Sequence, residues 1–479
     1  MIESVELPYK YVRIPLENEE KIEREEKLKV CVNKVITNLS RDVFAHCGFE
    51  IVEDCMKCNT TWGRQYEIHA YSTFKGWQKV NHFAGANMMG RKDNLHLRMI
   101  ELSQRISNEE IFYPESYLVP REIDDLKKVW DTKRCWILKP AASSKGEGIK
   151  VVCSKDQQCD FNESVVVQTY IEKPFLITGR KFDIRLYILV TSAAPLRIYM
   201  HDSGLIRFAT QPYDPFAPVS NVHVHLTNFS LNKDDEGFVH CMSEEEHIED
   251  SKWSIPFFKQ YMNSIGVNVD QLFENLERVS IGTIIAGFST IRTHHNNHVK
   301  GRHTSYELYG IDIILDENLK PHVLEINISP GMSGTDSPLD YNIKNRLMHD
   351  TLRMARIIDC NSLLKDPCPG IEKIDYECKV SISKDRTRRV ENNTENPWDN
   401  PVFADYMIIR DILEEKRIVG GFRRVFPKKK SLKKFYHYFD RMKYHDIVLT
   451  KWIEMPKEER RIALDKNIHH FCSKIESFI

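Results

Sequence analysis

The chain has 479 residues, which exceeds the usual size of one hydrophobic core, so we expect two or three lobes. Its apolar fraction of 41% and charged fraction of 29% are those of an ordinary globular protein. No apolar run is as long as a membrane-spanning helix, and the N-terminus lacks a basic and apolar secretion signal, so we expect neither a membrane protein nor a secreted one. The twelve cysteines show no disulfide-like spacing, which favours reduced thiols in the cytoplasm.

The net charge of −1 conceals an uneven distribution of charge. Glutamates crowd residues 17–26, whereas residues 416–443 are rich in lysine and arginine, with only Asp440 as an opposing charge. Such a local excess of positive charge is typical of a surface that binds a polyanion. We call residues 416–443 the basic segment; its basic residues are Lys416, Arg417, Arg423, Arg424, Lys428, Lys429, Lys430, Lys433, Lys434, Arg441 and Lys443.

In chain order, the sequence predicts a charged leader, two folded regions, a linker and a basic helical extension. The predicted boundaries are residues 1–40 for the leader, 41–135 for an N-terminal lobe, 136–355 for a core, 356–401 for the linker and 402–479 for the extension. Within the core, short strands surround a glycine loop at residues 143–148. A helical region then covers residues 244–291, and strands at residues 309–315 and 322–328 close the core.

The glycine loop lies between two predicted strands, and its segment contains Lys139, Lys145, Gly146 and Gly148. Glycines allow backbone N–H groups to approach anionic oxygens, and Lys139 is suited to neutralise a phosphate. It is not a Walker A loop, because the Gly-Lys-Ser/Thr ending before a helix is missing. Taken alone, the loop is explained equally well as a flexible hairpin with exposed lysines.

The next strand ends in a polar hinge at residues 168–174, which contains Gln168, Tyr170 and Ile171. Such a hinge offers backbone donors and acceptors to the edge of an adenine ring. By itself, the segment is better explained as a strand that leads into a loop.

Three polar residues, Asp312, Glu325 and Asn327, interrupt the last two apolar strands of the core. Glu325 and Asn327 are two residues apart and share one strand face, and Asp312 on the preceding strand can join them across a hairpin. Two carboxylates and an amide oxygen form a hard-oxygen site that suits Mg²⁺ beside nucleotide phosphates. The alternative is a buried acid that pairs with an arginine or lysine; the glycine loop favours the metal site.

A strand at residues 181–187 carries Lys181, Asp183, Arg185 and Tyr187 on one face, and Arg207 lies on a following strand. Arginines that make two parallel hydrogen bonds suit the binding of phosphates and carboxylates. For a single strand, the alternative of a solvated face of alternating residues is usually the correct one.

Together these segments resemble the tubulin tyrosine ligase-like family, whose catalytic core is an ATP-grasp fold. The resemblance covers roughly residues 60–355, and many short blocks match in order, which makes a chance match improbable. It implies an α/β (α+β) fold with N-terminal, central and C-terminal lobes, to which the basic extension is added. The matching blocks are residues 77–83, 90–93, 136–148, 168–174, 181–187, 196–199, 204–208, 225–230, 307–312 and 324–330.

The resemblance implies ATP and Mg²⁺ as the small molecules of the site, and it assigns roles residue by residue. Arg185, Arg207 and Lys92 are the expected catalytic residues, and Asp312, Glu325 and Asn327 the expected magnesium ligands. Arg91 accompanies Lys92 as a basic residue that faces the phosphates or the acceptor. The expected nucleotide-binding residues are Lys139, Lys145, Gly146, Gly148, Gln168, Tyr170, Ile171, Lys181, Asp183, Thr227 and Asn228.

The ending at residues 324–330 and the nearby residues 337–340 resemble the glutamate-adding branch of this family, although residues 331–336 depart from its pattern. The expected activity is the ligation of free L-glutamate to tubulin tail glutamates through an acylphosphate. The alternatives are a tubulin-binding module without activity, a family ligase that adds glycine or tyrosine, and a ligase with a small-molecule acceptor.

The acidic tails of tubulin are the expected partner of the basic segment. We therefore expect a cytoplasmic, microtubule-associated monomer, at cilia or basal bodies as well, that binds neither nucleic acid nor membrane. Phe435, Tyr436, Tyr438 and Phe439 are interpreted mainly as the apolar face of an amphipathic helix within this segment.

Two histidine- or cysteine-rich stretches are not expected to bind metal. Cys55 and Cys58, with Cys47 nearby, are similar to a zinc knuckle, but a second ligand pair at proper spacing is absent. His294, His295 and His298 are interpreted as part of an exposed polar loop.

Overall fold

The structure is a computed structural model that describes residues 5–130, 134–143, 146–153, 164–241, 246–361 and 368–478. Lys145, expected in the phosphate loop, lies outside these residues. The described chain mixes helices and sheets, as expected. Within it, no helix is both long and apolar enough to span a bilayer.

The strands are β1 (Lys10–Tyr11), β2 (Leu28–Asn33), β3 (Phe49–Val52), β4 (Thr60–Gly63), β5 (Ser116–Val119), β6 (Cys135–Pro140), β7 (Lys150–Cys153), β8 (Val165–Thr169), β9 (Arg180–Ala193), β10 (Leu196–Pro212), β11 (Lys252–Ser254), β12 (Glu307–Leu315), β13 (Pro321–Asn327), β14 (Ile358–Asp359) and β15 (Phe422–Phe426). The helices are α1 (Asn38–His46), α2 (Asn87–Gly90), α3 (Lys92–Ser103), α4 (Ile123–Trp130), α5 (Val222–His225), α6 (Phe229–Asn232), α7 (Ile255–Ser264), α8 (Val269–His298), α9 (Pro338–Ala355), α10 (Pro369–Val380), α11 (Lys384–Glu391), α12 (Phe403–Arg417), α13 (Tyr444–Glu454), α14 (Lys457–Asp465) and α15 (Ile468–Glu476).

A three-stranded parallel sheet in the order β3-β2-β4 lies near the N-terminus. Its central strand, β2, falls within residues 1–40, so the leader predicted there is corrected. Val30 of this strand is fully buried. Lys29 within the strand and Lys27 and Lys34 on either side of it concealed the strand in the sequence.

The glycine loop belongs to a four-stranded antiparallel sheet in the order β5-β8-β6-β7. Alternate residues of these strands, among them Trp136, Leu138 and Val167, pack with Leu126 of α4 in a small core. Lys139 and Gln168 lie on the opposite face of this sheet, where their side chains are hydrogen-bonded to each other.

The largest sheet has six strands in the order β11-β10-β9-β12-β13, with β15 also paired to β10. Phe182, Ile184 and Leu186 of β9 point into the main core, where the 30-residue helix α8 covers the sheet. The Asn268 side chain caps this helix by accepting a hydrogen bond of 3.0 Å from the Gln271 backbone N–H. The predicted helical region began too early, since α7 starts at Ile255 and β11 precedes it.

Residues 356–401, predicted as a linker, include β14, α10 and α11. The polar composition misled the prediction because charged side chains here form buried ion pairs. Arg386 donates hydrogen bonds to Glu395 at 2.6 Å and to Asp405 at 3.0 Å, and Asp405 is fully buried.

The C-terminal extension is mainly helical, but the basic segment inside it is not one helix. It contains strand β15, which joins the largest sheet, and a 3₁₀-helix at Leu432–Tyr438. Phe435 and Tyr438 are buried in the main core, so they pack the extension onto the fold. Their interpretation as an apolar face is confirmed, although the helix is of the 3₁₀ type.

The expectation of reduced thiols throughout is corrected at two pairs. Disulfides join Cys31 to Cys55 and Cys135 to Cys153. The second pair links directly opposed residues of β6 and β7. Because Cys55 is bonded to Cys31, it does not form a zinc knuckle with Cys58.

Candidate active site

A cleft lies between the polar face of the four-stranded sheet and that of the largest sheet. Strands and loops from both sides contribute to it, and apolar residues alternate with charged ones. Its lining residues are Ile137, Lys139, Ile149, Gln168, Thr169, Tyr170, Ile171, Lys181, Asp183, Arg207, His225, Leu226, Thr227, Asn228, Asp312, Ile314, Leu324 and Glu325. The fold therefore brings most of the sequence-predicted site residues into one cavity.

Lys139 on β6 crosses the cleft from the four-stranded sheet. Its Nζ donates hydrogen bonds to Gln168 Oε1 at 2.7 Å and to the Leu324 carbonyl at 3.1 Å. Burial lowers the pKa of Lys139 to about 8. The Gln168 amide in turn donates to Ser116 Oγ at 2.9 Å, which fixes its orientation.

A second buried lysine, Lys181, lies among polar groups at the other end of the cleft. Its Nζ donates to the Tyr170 hydroxyl and to the His225 carbonyl, both at 2.8 Å. The Tyr170 hydroxyl also lies 3.0 Å from His225 Nδ1. Burial lowers the pKa of Lys181 to about 7, so this lysine is poised to take up a proton when an anion approaches.

Four charged residues form a ladder across β10, β9 and β12. Arg207 Nε donates to Asp183 Oδ1 at 2.7 Å, and the NH2 group of Arg207 lies 2.8 Å from Asp312 Oδ2. Arg185 contacts both carboxylate oxygens of Asp312. Burial raises the pKa of Asp183. Burial also acts to raise the pKa of Asp312, but the positive charges of the two arginines outweigh it and hold this pKa below the usual range.

The sequence predicted that Arg185 shares a face with Lys181 and Asp183, and the structure confirms this arrangement on β9. The pairing of Asp312 with two arginines agrees with the alternative interpretation from the sequence, in which this residue is a buried acid paired with a basic side chain.

Glu325 and Asn327 lie on β13, opposite Asp312 and Gly310 of β12. The cross-strand pairing of Asp312 with Glu325 is therefore confirmed. The Asn327 side chain lies 3.2 Å from Glu325 Oε1, and both residues are only partly buried. Glu325 and Asp312 both line the cleft, and Asp312 is turned towards the arginines.

The glycine loop approaches the largest sheet closely. Gly146 and Gly148 both have a positive φ, of 82° and 72°, which favours glycine. A Cβ atom at Gly146 would lie 2.9 Å from Leu231 and 3.1 Å from the Asn228 side chain. Close approach of the loop to Asn228 thus depends on the absence of a side chain.

Lys92 lies at the rim and not in the cleft. Its Nζ donates a 2.5 Å hydrogen bond to the Ser143 carbonyl, so it holds the glycine loop from the N-terminal side. Arg91 is paired with Asp93 at 2.8 Å and is half-exposed. The exposed-loop interpretation of residues 294–298 is wrong, because they end helix α8 and His295 is buried.

A second groove adjoins the cleft, and sequence reasoning missed much of it. It shares Arg207, Asn228 and Glu325 with the cleft. Its lining residues are Arg185, Tyr187, Leu205, Arg207, Asn228, Phe229, Ser230, Lys233, Lys252, Glu325, Asn327, Ser329, Gly331, Ser333, Asp336, Asp340 and Lys344.

Two lysines anchor one wall of this groove. Lys252 contacts the buried carboxylate of Asp340 and lies 3.5 Å from Asp336. Lys344 lies 2.9 Å from the other oxygen of Asp340 and donates to the Ser333 carbonyl at 2.7 Å. The four-residue spacing of Asp340 and Lys344 on α9 was the available sequence signal.

The fold and the cleft define a mixed α/β protein with buried lysines, arginines and acids between two antiparallel sheets. The family model described as the tubulin-tyrosine ligase family matches residues 70–363. The chain therefore belongs to this family, as its sequence motifs suggested.

Similar curated proteins cover most of the chain. The chain is 30% identical over 458 residues to the human protein "Tubulin monoglutamylase TTLL4", a match that covers 90% of the chain and 38% of the human protein. It is 31% identical over 464 residues to "Tubulin polyglutamylase ttll-4" of Caenorhabditis elegans, covering 92% of the chain and 74% of that protein. It is 32% identical over 403 residues to human "Tubulin polyglutamylase TTLL5", covering 82% of the chain and 30% of that protein. The chain thus spans well under half the length of these two human relatives.

Proposed function

We propose that this chain is an ATP- and Mg²⁺-dependent ligase that joins glutamate to the side-chain carboxylates of tubulin tail glutamates. The observation that carries the proposal is the single cleft in which Lys139, Lys181 and Arg207 lie beside Asp312 and Glu325. Membership of the tubulin-tyrosine ligase family and similarity to proteins named tubulin glutamylases support the choice of substrate.

The fold proposed for this chain is an ATP-grasp fold, in which two sheets hold the nucleotide between them. The four-stranded sheet with its glycine loop would be the central lobe, and the largest sheet the C-terminal lobe. The N-terminal lobe, predicted at residues 41–135, would gain β2 and lose β5 and α4, because β5 pairs with β8 and α4 packs in the core of the four-stranded sheet. Residues 402–479 would be an extension docked on the largest sheet through β15.

The adenine ring would lie against Gln168, Tyr170 and Ile171, where a strand end leads into the hinge. Apolar neighbours such as Ile137 and Leu324 line the same part of the cleft and suit a flat ring. The phosphates would lie under the loop of Gly146 and Gly148, with Lys145 from the same loop. The other residues that would contact the nucleotide are Lys139, Lys181, Asp183, Thr227 and Asn228.

The residues at the cleft mouth fit a magnesium ion. Asp312, Glu325 and Asn327 provide hard oxygen donors on paired strands; Asp312 and Glu325 line the cleft, and Glu325 and Asn327 line the second groove. We propose that Glu325 and Asn327 hold the ion from the open side and Asp312 from the inner side. When bound, Mg²⁺ supplies charge compensation to the nucleotide phosphates.

In the proposed reaction, the γ-phosphoryl group of ATP passes to the acceptor carboxylate and gives an acylphosphate and ADP. The amine of free L-glutamate then attacks the acyl carbon, loses a proton, and displaces phosphate as the isopeptide bond forms. Arg185 and Arg207, at the junction of the cleft and the groove, would hold the acceptor carboxylate and stabilise the negative charge that develops. Lys92 would position the glycine loop over the phosphates.

The second groove is the proposed place of the incoming amino acid. Lys252 and Lys344 are cationic groups beside Arg185, and a substrate with two carboxylates requires such compensation. Residues 331–336, which depart from the pattern of the glutamate-adding branch, line this groove through Gly331, Ser333 and Asp336. Amino-acid choice would therefore depend on this wall and not on the nucleotide residues.

The proposed partner of the basic segment is the acidic tail of tubulin. Lys429, Lys430, Lys433 and Lys434 are all exposed on the outside of the extension. A positive surface attracts disordered acidic tails over a range set by ionic strength. We propose a cytoplasmic monomer on microtubules, including those of cilia and basal bodies, with no role for nucleic acid or membrane.

The test is to incubate the purified chain with microtubules, ATP, Mg²⁺ and an equimolar mixture of glutamate, glycine and tyrosine. Intact-mass spectrometry of tubulin is expected to show additions in glutamate steps. These steps should disappear with Glu325→Gln and with Asn327→Ala. They should persist with Glu317→Gln, which changes an exposed acid in the turn after β12.

Other outcomes would redirect the proposal in defined ways. Glycine or tyrosine steps would overturn the choice of glutamate but keep the ligase. Binding to microtubules without added mass would favour a binding module that lacks activity. Modification of a small acceptor in place of tubulin would overturn the proposed partner.

A further inference from the structure

A cluster of two histidines and one cysteine lies outside the cleft and the second groove. His46 ends α1, Cys47 follows it, and His349 lies on α9, which packs against α1. One side-chain atom of each residue lies within 4.8 Å of the others. Cys47 is fully buried and His349 nearly so.

The outer nitrogens of both rings are fixed by backbone carbonyls. His46 Nε2 lies 2.9 Å from the Glu19 carbonyl, and His349 Nδ1 lies 2.9 Å from the Asn345 carbonyl. Since a carbonyl only accepts hydrogen bonds, each of these nitrogens must carry the proton of its ring. A neutral imidazole has one N–H, so the other nitrogen of each ring is a lone pair.

These two lone-pair nitrogens, His46 Nδ1 and His349 Nε2, face each other at 2.9 Å. Two facing lone pairs repel each other unless a positive charge lies between them. That charge is either a proton, which makes one ring an imidazolium, or a metal ion. The Cys47 sulfur lies within 4.8 Å of one nitrogen of each ring and supplies a third ligand atom, which a metal ion would use and a shared proton would not.

We propose that His46, Cys47 and His349 form a structural site for a divalent metal ion of the zinc class. Imidazole nitrogen and thiolate sulfur are the ligands that zinc prefers, and ligating histidines commonly donate their other N–H to a backbone carbonyl. With Zn–N distances of about 2.0–2.1 Å in a tetrahedral site, the two nitrogens need to be about 3.3 Å apart, so the rings need to separate by about 0.4 Å. Water would fill the fourth position.

The ion would tie α1 of the N-terminal region to α9. Helix α9 carries Asp340 and Lys344, which build one wall of the second groove. The metal would thus hold the N-terminal region against the helix that supports this wall. Its role is structural, and the proposal is independent of the reaction proposed above.

The test uses the full chain, stripped with a chelator and dialysed against Zn²⁺ or Co²⁺. The expected result is about one ion per chain, a higher Tm with Zn²⁺, and a thiolate-to-Co²⁺ charge-transfer band in the near ultraviolet. The Co²⁺ spectrum of the unaltered chain needs no variant, so it tests for a thiolate ligand even where a substitution prevents folding.

Variants then identify the ligands. Cys47→Ser should remove the charge-transfer band, and His349→Gln should abolish stoichiometric binding. The matched controls are Cys58→Ser, another buried free thiol, and His69→Gln, an exposed histidine; both should bind as the unaltered chain does. Absence of bound metal, or binding that survives His349→Gln, would overturn the site. Binding without the charge-transfer band would overturn the assignment of Cys47.

Discussion

Arg185 on β9 lies directly across the sheet from Asp312 on β12, and its guanidinium group contacts both oxygens of that carboxylate. Arg207 adds a third contact to the same carboxylate, at 2.8 Å. The side chain of Asp312 is only 3% exposed. The protein therefore balances the charge of its two arginines internally, and an entering substrate anion must share them with Asp312.

Replacement of Asp312 by asparagine leaves both arginines without their shared carboxylate. Because their side chains are only 12% and 11% exposed, we expect Asp312→Asn to lower the free energy of unfolding by about 3–5 kcal/mol. Urea denaturation at neutral pH measures this loss. The control is Asp93→Asn, whose partner Arg91 is half-exposed and for which the expected change is below about 1 kcal/mol. Equal losses in the two variants would contradict the internal charge balance.

The same pair predicts how stability depends on pH. The folded protein holds the pKa of Asp312 below its ordinary value of 3.8, so this carboxylate contributes its full stability above that value. The contribution is lost only as the pH falls further, through the folded pKa. The difference in stability between the unaltered chain and Asp312→Asn should therefore stay constant from about pH 7 to pH 5 and shrink below about pH 4. A difference that already vanishes at pH 5 would contradict the lowered pKa.

The two buried lysines predict proton uptake when ATP binds. Burial lowers the pKa of Lys181 to about 7 and that of Lys139 to about 8, so at pH 8 a large fraction of both is neutral. Phosphate anions favour the charged form, and binding should therefore take up protons. Calorimetry of ATP binding at pH 8, in buffers with different ionisation enthalpies, measures the number of protons taken up. Lys181→Met should reduce it, whereas Lys173→Met, at an exposed position on the hinge, should not. Binding without uptake would contradict the proposed contact between these lysines and the phosphates.

The glycine loop is tested by a pair of substitutions at glycines that have a similar positive φ. Gly146→Ala and Gly179→Ala both place alanine at a positive φ, of 82° and 75°. Only the alanine at Gly146 meets neighbouring atoms, since nothing lies within 4 Å of a Cβ at Gly179. We expect Gly146→Ala to raise the KM for ATP about tenfold, because the loop is pushed away from Asn228. Gly179→Ala should leave the KM within about twofold. Steady-state kinetics at saturating tubulin measure the KM for ATP of both variants. Equal KM values would show that ATP binding does not depend on the close approach of the loop to Asn228.

Much of the cleft was predictable because its pattern is local. The alternation of Lys181, Asp183 and Arg185 follows from the period of a strand, as does the pairing of Asp312 with Glu325 across a short hairpin. The second groove was not predictable in this way. Lys252 lies on a strand of three residues and reaches Asp340 on a helix 88 residues away, so no local pattern connects them.

Composition was misleading where charged residues point inwards. Residues 356–401 have the composition of a linker, yet Arg386 forms a buried network with Tyr444 and Asp405. In the same way, β2 pairs with β3 and β4 in a parallel sheet, and the lysines in and beside it hide a strand whose partners are more distant in sequence. Tertiary partners of this kind are absent from any short window of the chain.

The basic segment predicts a salt-dependent association with microtubules. Lys433 and Lys434 lie on the 3₁₀-helix whose Leu432 and Phe435 are buried, so the core holds these lysines in an outward position. We expect Lys433→Ala with Lys434→Ala to weaken microtubule binding about fivefold at low salt, and the difference to disappear near 1 M salt. Co-sedimentation measures the affinity for microtubules at each salt concentration.

The matched control, Lys127→Ala with Lys128→Ala, removes two exposed lysines from α4 and should change binding little. Microtubules without their acidic tails should bind all variants equally weakly. A loss of affinity that persists at high salt, or that equals the loss in the control, would show that this surface does not act through the charge of the tails.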